Sequence, residues 1–291
     1  MENKKNIEAI ILNYRRGELT ARCIESLVDQ VTRIWVVDNS QDENQSKVLA
    51  ENIATLPAVQ QGFNVEILNS GENLGFAKGV QVGIDHALSN DEHKLILLIN
   101  NDAIASAGMV DQMVSEMNKY GKASLIAPRE TTEGAMPSML WYHRLFALLL
   151  TRPIPGSFPY LTGACLLVPT TLVQPFLFDP DFFMYGEDVE LSWRLAQSGV
   201  ALLNSDVKYE HAGNATSRHG SLFYEYHVAR GHILLAHKLA RGPLDRVILL
   251  LGRAISLPLR ALTRSIRYRK LTPLNALILA LMRKQPPHPI A

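Results

Sequence analysis

The sequence predicts an α/β fold: a Rossmann-like, mostly parallel sheet flanked by helices, with an amphipathic helical tail at the C-terminus. Three observations predict it. Short apolar runs of strand length alternate with stretches of helical periodicity, as parallel strands joined by crossover helices require. Each run stops at Asn, Asp, Ser or Gly, so polar side chains gather at one sheet edge, where open α/β sheets hold ligands. Residues 241–291 then carry ten Lys/Arg against one acid, Asp245, whereas residues 1–240 carry 19 against 27. The near-neutral total of +1 hides an acidic body over 1–240 and a basic tail over 241–291.

In chain order, Ile7–Leu12 is the first apolar run and ends at Asn13-Tyr14-Arg15-Arg16-Gly17. Leu19–Val28 has helical spacing. Ile34–Val37 stops at Asp38-Asn39-Ser40, Val65–Leu68 at Asn69-Ser70-Gly71, and Leu95–Ile99 at Asn100-Asn101-Asp102. Helical segments over Gly79–Leu88 and Met109–Lys119 separate them. The stretch 128–160, rich in Pro, Gly and Thr, reads as a loop excursion with one apolar piece, Leu145–Leu150; Leu161–Val168 returns to the sheet.

Composition excludes several classes. With 47% hydrophobic and 20% charged residues the chain is globular, not disordered. Two cysteines, Cys23 and Cys165, lack metal-type spacing and predict a reducing compartment without disulfides. The N-terminal MENKKNIEAIIL lacks signal-peptide architecture, and no run reaches bilayer-spanning length. The expected location is cytoplasmic.

Several residues can carry chemistry. Asp38 in WVVDNS reads two ways, as an acceptor for a nucleobase or ribose or as a helix cap. The stretch from Asn73 to Gly79, NLGFAKG, places two glycines before a helix N-terminus, a geometry open to phosphate but also to an ordinary turn. In LLINNDA, Asp102 suits a hard cation bridging to substrate phosphates, given a second ligand, or an N-cap. His211 in KYEHAGNATS is a candidate for that ligand. In FFMYGEDVELSWR, Glu187 and Asp188 follow an aromatic run. Desolvation there would raise the pKa of a carboxylate and make it a better base, while the same acids favour a helix N-terminus.

Taken together, VVDNS, NLGFAKG, LLINND, LTGACLLVP, FFMYGEDVELSWRLAQSG and EHAGNATS resemble glycosyltransferase family 2, most closely its bacterial rhamnosyltransferase-like branch. The resemblance covers roughly residues 7–235 and implies the GT-A fold with a nucleotide-diphosphate sugar donor. It implies that Asp38 bonds the donor base, that Asn13 and Tyr14 line the nucleotide pocket, and that Asn73, Gly75, Lys78 and Asn101 lie beside the nucleotide. Asp102 and His211 would hold Mg²⁺ or Mn²⁺ against the diphosphate, with Arg230 near Tyr224 and Tyr226 assisting. Thr162 and Gly163, next to Ala164, would face donor sugar or acceptor. Asp188 would be the base of an inverting transfer, with Glu187 and Trp193 contacting the acceptor or orienting the loop. The chain departs from the family pattern in having a single acid at Asn100-Asn101-Asp102, Gln81 where Asn is common, and Gly231 where Asn is usual.

In the tail, Arg246, Arg253, Arg260 and Arg267 recur every seven residues, with Arg264 near the same face and a kink expected at Pro258. Leu274–Met282 is a second apolar piece ending in Arg283-Lys284. This basic amphipathic pattern predicts association with an anionic membrane surface at the inner face of the cell membrane, near a glycan or lipid-linked acceptor. The alternative is a helix packed on the body with a solvated basic face. With few interleaved aromatics, the tail does not read as a nucleic-acid binder.

The expected activity is transfer of rhamnose from dTDP-rhamnose during synthesis of a bacterial cell-surface polysaccharide. The alternatives are a UDP-sugar donor, a nucleotidyltransferase that releases pyrophosphate, or a catalytically degenerate membrane-bound assembly partner. The first loop, NYRRGE, lacks the Gly-rich signature expected of a nucleotidyltransferase.

Overall fold

The computed structural model describes residues 7–89, 95–121, 123–132, 137–211 and 220–284. Its strands are β1 (Ile7–Asn13), β2 (Arg33–Asp38), β3 (Val65–Asn69), β4 (Leu95–Asn100), β5 (Ala103–Ala105), β6 (Ser124–Glu130), β7 (Met139–His143), β8 (Leu148–Leu150), β9 (Ser157–Leu161), β10 (Cys165–Pro169) and β11 (Ala201–His211). Its α-helices are α1 (Gly17–Glu25), α2 (Glu43–Ala54), α3 (Pro57–Gln60), α4 (Gly75–Leu88), α5 (Met109–Tyr120), α6 (Glu187–Gln197), α7 (Leu222–Lys238), α8 (Pro243–Tyr268) and α9 (Thr272–Leu281).

Eight strands form one sheet in the order β3-β2-β1-β4-β10-β6-β11-β5. β1 runs parallel to β2 and β4, β2 to β3, and β6 to β11. β10 is antiparallel to β4 and β6, and β5 to β11. The central strands are buried on both faces, which is why they read as unbroken apolar runs. Ile11, Leu97 and Ile99 join a core under α1 and α5, while Ile10, Ile96 and Leu98 join a second core under α4. Each such side chain contributes roughly 1.5–3 kcal/mol by leaving water.

The segment read as a loop excursion is instead a three-stranded antiparallel sheet, β8-β7-β9. β9 contains Pro159 but lies at an edge, where a missing N–H is tolerated. The sequence also hid β11. There Ser205, Val207 and Tyr209 are buried and alternate with exposed Asp206, Lys208 and Glu210, so no apolar run appears.

The tail also differs from its expected form. α8 and α9 pack back onto α7: Tyr226 meets Ala276 and Ala280, and Leu257, Ala261 and Leu277 form a further apolar cluster. The arginines recurring every seven residues do not make a common outer face. Arg253 is 3% exposed and donates to the carbonyls of Arg144, Leu145 and His232 and to the Tyr142 hydroxyl. Arg264 forks onto Glu225 at 2.6–2.9 Å, and Arg260 also points inward, while Arg246 and Arg267 stay exposed. The outward stripe is apolar: Leu244, Val247, Leu251, Ile255, Leu259, Leu262 and Ile266. α8 runs on through Pro258. No helix among the described residues is long and apolar enough to cross a membrane.

Candidate active site

A cavity of about 310 Å³ opens at the C-terminal ends of β1 and β4. The strand ends beside it are tied by a buried polar network. Asn13 Nδ2 donates to Asp38 Oδ1 at 2.9 Å, and Asn13 Oδ1 accepts from Thr20 Oγ1 at 2.9 Å. Asn101 Nδ2 donates to Thr20 Oγ1 at 3.1 Å, and the hydroxyls of Ser40 and Ser46 complete the Asp38 carboxylate. Asn13 and Asp38 lie beneath the cavity wall and fix it. Tyr14, Asn73, Gly75 and Asn101 line it.

Asp102 and His211 line the same cavity, with Asp102 Oδ1 3.0 Å from His211 Nε2. Glu130 Oε1 lies 3.5 Å from His211 Nδ1. Burial opposes the charge of His211, but hydrogen bonds to the two carboxylates outweigh it and raise the pKa to about 9. A carboxylate behind the second nitrogen is how proteins orient a metal-ligating imidazole. A divalent cation would displace the proton that His211 shares with Asp102, after which the two would offer it one carboxylate and one imidazole nitrogen. The described residues contain no group of three or more His, Cys, Asp or Glu placed to hold one, so substrate phosphate and water would fill the other positions. The AGNATS half of the His211 motif, 212–217, lies outside the described residues.

The loop before α6 sets the position of the acids that open the helix. Tyr185 and Gly186 both have positive φ, 68° and 101°, a strained conformation for tyrosine. Two glycines clamp this loop. A Cβ on Gly75 would lie 2.4 Å from the Phe183 carbonyl oxygen, and one on Gly231 would lie 2.2 Å from that of Tyr185. Phe76 N–H donates to Phe183 O at 2.7 Å, linking the glycine motif to the acidic one. Gly231, where the resemblance leads one to expect Asn, is thus required by close backbone approach.

Glu187 and Asp188 open α6 and line the cavity with Thr162 and Gly163. Burial raises both carboxyls. Glu187 rises to about 8, with the neighbouring Asp188 charge adding to the effect. Asp188 rises only to about 6, because the N–H groups of Val189 and Gly163 donate to it and oppose burial. Burial and mutual repulsion thus favour one proton shared by the pair at neutral pH, with one carboxylate charge left between them.

Three expected residues lie elsewhere. Lys78 is exposed on α4 outside the cavity. Trp193 packs on Phe158, 4.8 Å between ring centroids, with Arg144 and Arg241 over its ring. Arg230 lines a neighbouring cavity of about 200 Å³ that meets the first at Met184. Sequence reasoning also missed Asn39, whose Nδ2 holds the Gly75 carbonyl while its Oδ1 is buried without a partner at the cavity wall. It missed Glu130, whose only signal was its place in the unrecognised β6.

Comparison with known proteins follows the same outline. Residues 8–174 match the family model described as glycosyl transferase family 2. The chain is 27% identical over 269 residues to the N-acetylglucosaminyl-diphospho-decaprenol L-rhamnosyltransferase of Mycobacterium tuberculosis, covering 80% of this chain and 84% of that one. It is 20% identical over 255 residues to the low-salt glycan biosynthesis hexosyltransferase Agl10 of Haloferax volcanii, covering 83% and 79%. Among solved structures, the mannosyltransferase PcManGT of Pyrobaculum calidifontis, in complex with GDP-Man and Mn²⁺, superposes with a TM-score of 0.58 at 14% identity, covering 96% of this chain and 86% of that one.

Proposed function

The chain belongs to glycosyltransferase family 2, and from that premise we propose that it transfers rhamnose, with inversion, from dTDP-rhamnose to a hydroxyl of a lipid-linked glycan in cell-surface polysaccharide synthesis. The similarity to the mycobacterial rhamnosyltransferase supports the donor and the lipid-linked acceptor. The observation that carries the reaction is the Glu187–Asp188 pair at the cavity wall, holding one proton between two carboxyls.

In this reading the acceptor oxygen attacks the anomeric carbon and Asp188 takes its proton. The bond to the nucleoside diphosphate breaks as the new one forms. Tyr14, Asn73, Gly75 and Asn101 hold the nucleotide, with Asp38 and Asn13 fixing the wall behind them. Asp102 and His211 would hold Mg²⁺ or Mn²⁺, which would supply positive charge to the departing diphosphate. Glu187 shares the proton left on the pair, which keeps a second negative charge away from the site. Thr162 and Gly163 face the sugar. Lys78 and Arg230 act on the diphosphate only if their surroundings rearrange when donor binds.

We assign residues 1–240 to catalysis and 241–291 to attachment at the inner face of the membrane. The exposed apolar stripe of α8, flanked by exposed Arg246, Arg267, Arg269 and Lys270, supports attachment. Because Arg253 is buried in the body, the test is substitution, not deletion. Leu251→Ser, Ile255→Ser and Leu259→Ser combined should release the folded chain from anionic vesicles; continued sedimentation with them would refute attachment.

The activity test incubates the chain with Mn²⁺, a lipid-linked N-acetylglucosamine acceptor and either dTDP-rhamnose or a UDP-sugar. Release of dTDP with acceptor glycosylation is expected. UDP release would move the donor, pyrophosphate release would indicate nucleotidyl transfer, and no release would leave a degenerate partner.

A further inference from the structure

Behind the acids lies a smaller cavity of about 140 Å³, which meets the front cavity at Tyr185, Glu187 and Asp188. Two of its lining residues leave buried polar atoms without partners, Glu187 Oε2 and His232 Nε2. An unpaired buried polar atom costs the desolvation of that group unless something binds it.

The surrounding groups define what these atoms offer. Arg253 donates to the Tyr142 hydroxyl at 3.2 Å, and that hydroxyl lies 3.1 Å from His232 Nδ1. Burial first, then Arg260 and Arg253, keeps His232 neutral, so one ring nitrogen carries a proton and the other accepts. Arg260 of α8 lines the cavity as well. Its neighbour Arg264 takes Glu225, and Arg260 has no ion-pair partner among the described residues. Burial, then Arg264, works against the charge of Arg260, and Tyr224, Glu225 and Tyr142 offset this only in part, so a bound anion would favour the guanidinium further. Two buried polar atoms without partners among the described residues and one guanidinium thus line one cavity beside the base.

The rim of the cavity is apolar. Leu149 lines it and is 41% exposed, next to exposed Leu148. Arg253 fixes α8 on the carbonyls of Arg144 and Leu145, at the start of the hairpin that carries Leu149.

We propose that this cavity is the acceptor subsite and binds the phosphate group of a lipid-linked phosphoglycan, with Arg260 as counter-ion and Leu149 on the path of the lipid chain. This rests on the transferase reading for its role, but its binding chemistry can be tested without turnover. The probe is decyl diphosphate below its micelle concentration, titrated into the full chain by calorimetry with and without dTDP. Decyl glucoside and inorganic pyrophosphate are the comparison ligands.

Decyl diphosphate should bind alongside dTDP and at least about tenfold more tightly than either comparison ligand, since charge and chain are both recognised. Arg260→Gln and Leu149→Trp should each weaken it about tenfold while dTDP affinity stays unchanged. Leu149 is exposed, so its variant folds even if Arg260→Gln does not. No binding to the native chain, equal binding by folded variants, equal binding of either comparison ligand, or displacement by dTDP would overturn the proposal. Loss of dTDP binding alone would instead count against the transferase reading and leave this site standing.

Discussion

The strand-end network around Asp38 and the loop around Glu187 differ in how completely the chain satisfies them. Asn13, Asp38, Thr20 and Asn101 exchange hydrogen bonds with one another and with Ser40 and Ser46, with Asn39 Oδ1 at the wall as the exception. A few residues away, Tyr185 is strained, Glu187 Oε2 has no partner, and two carboxyls sit where burial disfavours their charge. A saturated network makes a rigid wall, suited to recognising an invariant nucleotide. An unsatisfied loop stores the desolvation that makes a carboxylate basic.

If that contrast holds, substitutions in the two regions separate activity from stability. Asp188→Asn should lower the transfer rate roughly a thousandfold or more while leaving the melting temperature unchanged or higher, because it removes a disfavoured charge; calorimetry and single-turnover assays check both halves. Asp38→Ala should do the reverse, costing about 3 kcal/mol of stability by stranding Asn13 and Ser46, as read from urea denaturation. Gly231→Ala should displace the Tyr185 carbonyl and lower kcat about tenfold with nucleotide affinity retained. The smallest effect is a pH slope. A buried acid whose pKa is raised in the folded state binds more protons there than in the unfolded chain. Its stabilising contribution is therefore present at low pH and is lost as pH rises from the ordinary carboxylate range to about 8. Glu187→Gln should remove that slope and leave the variant more stable than the native chain at pH 8, as read from urea denaturation at pH 5 and pH 8.

Legibility in the sequence follows the same contrast. Strands buried on both faces, such as β1 and β4, announce themselves as apolar runs, and the motifs at their ends were readable with them. β11 alternates polar and apolar residues, and β9 carries a proline at an edge; both escaped because their signals belong to half-exposed strands. Asp102, His211, Thr162, Gly163 and Asp188 line one cavity, as their motif order implied. Trp193 does not, because spacing along α6 says nothing about which side of the helix meets Phe158. The tail arginines misled for a related reason. A repeat of seven locates a helical face but not whether water or carbonyl groups lie across from it. The empty partners of Glu187 and His232 have no sequence signal, since an unsatisfied atom is a property of the packed structure.

The central claim, that burial holds one proton and one charge on the Glu187–Asp188 pair at neutral pH and so makes it a base, is tested most directly by the pH dependence of kcat/KM at saturating Mn²⁺. The account predicts activity rising with pH through a midpoint of about 6 as Asp188 loses its proton. A plateau persisting down to pH near 4, where an ordinary carboxylate titrates, would contradict it.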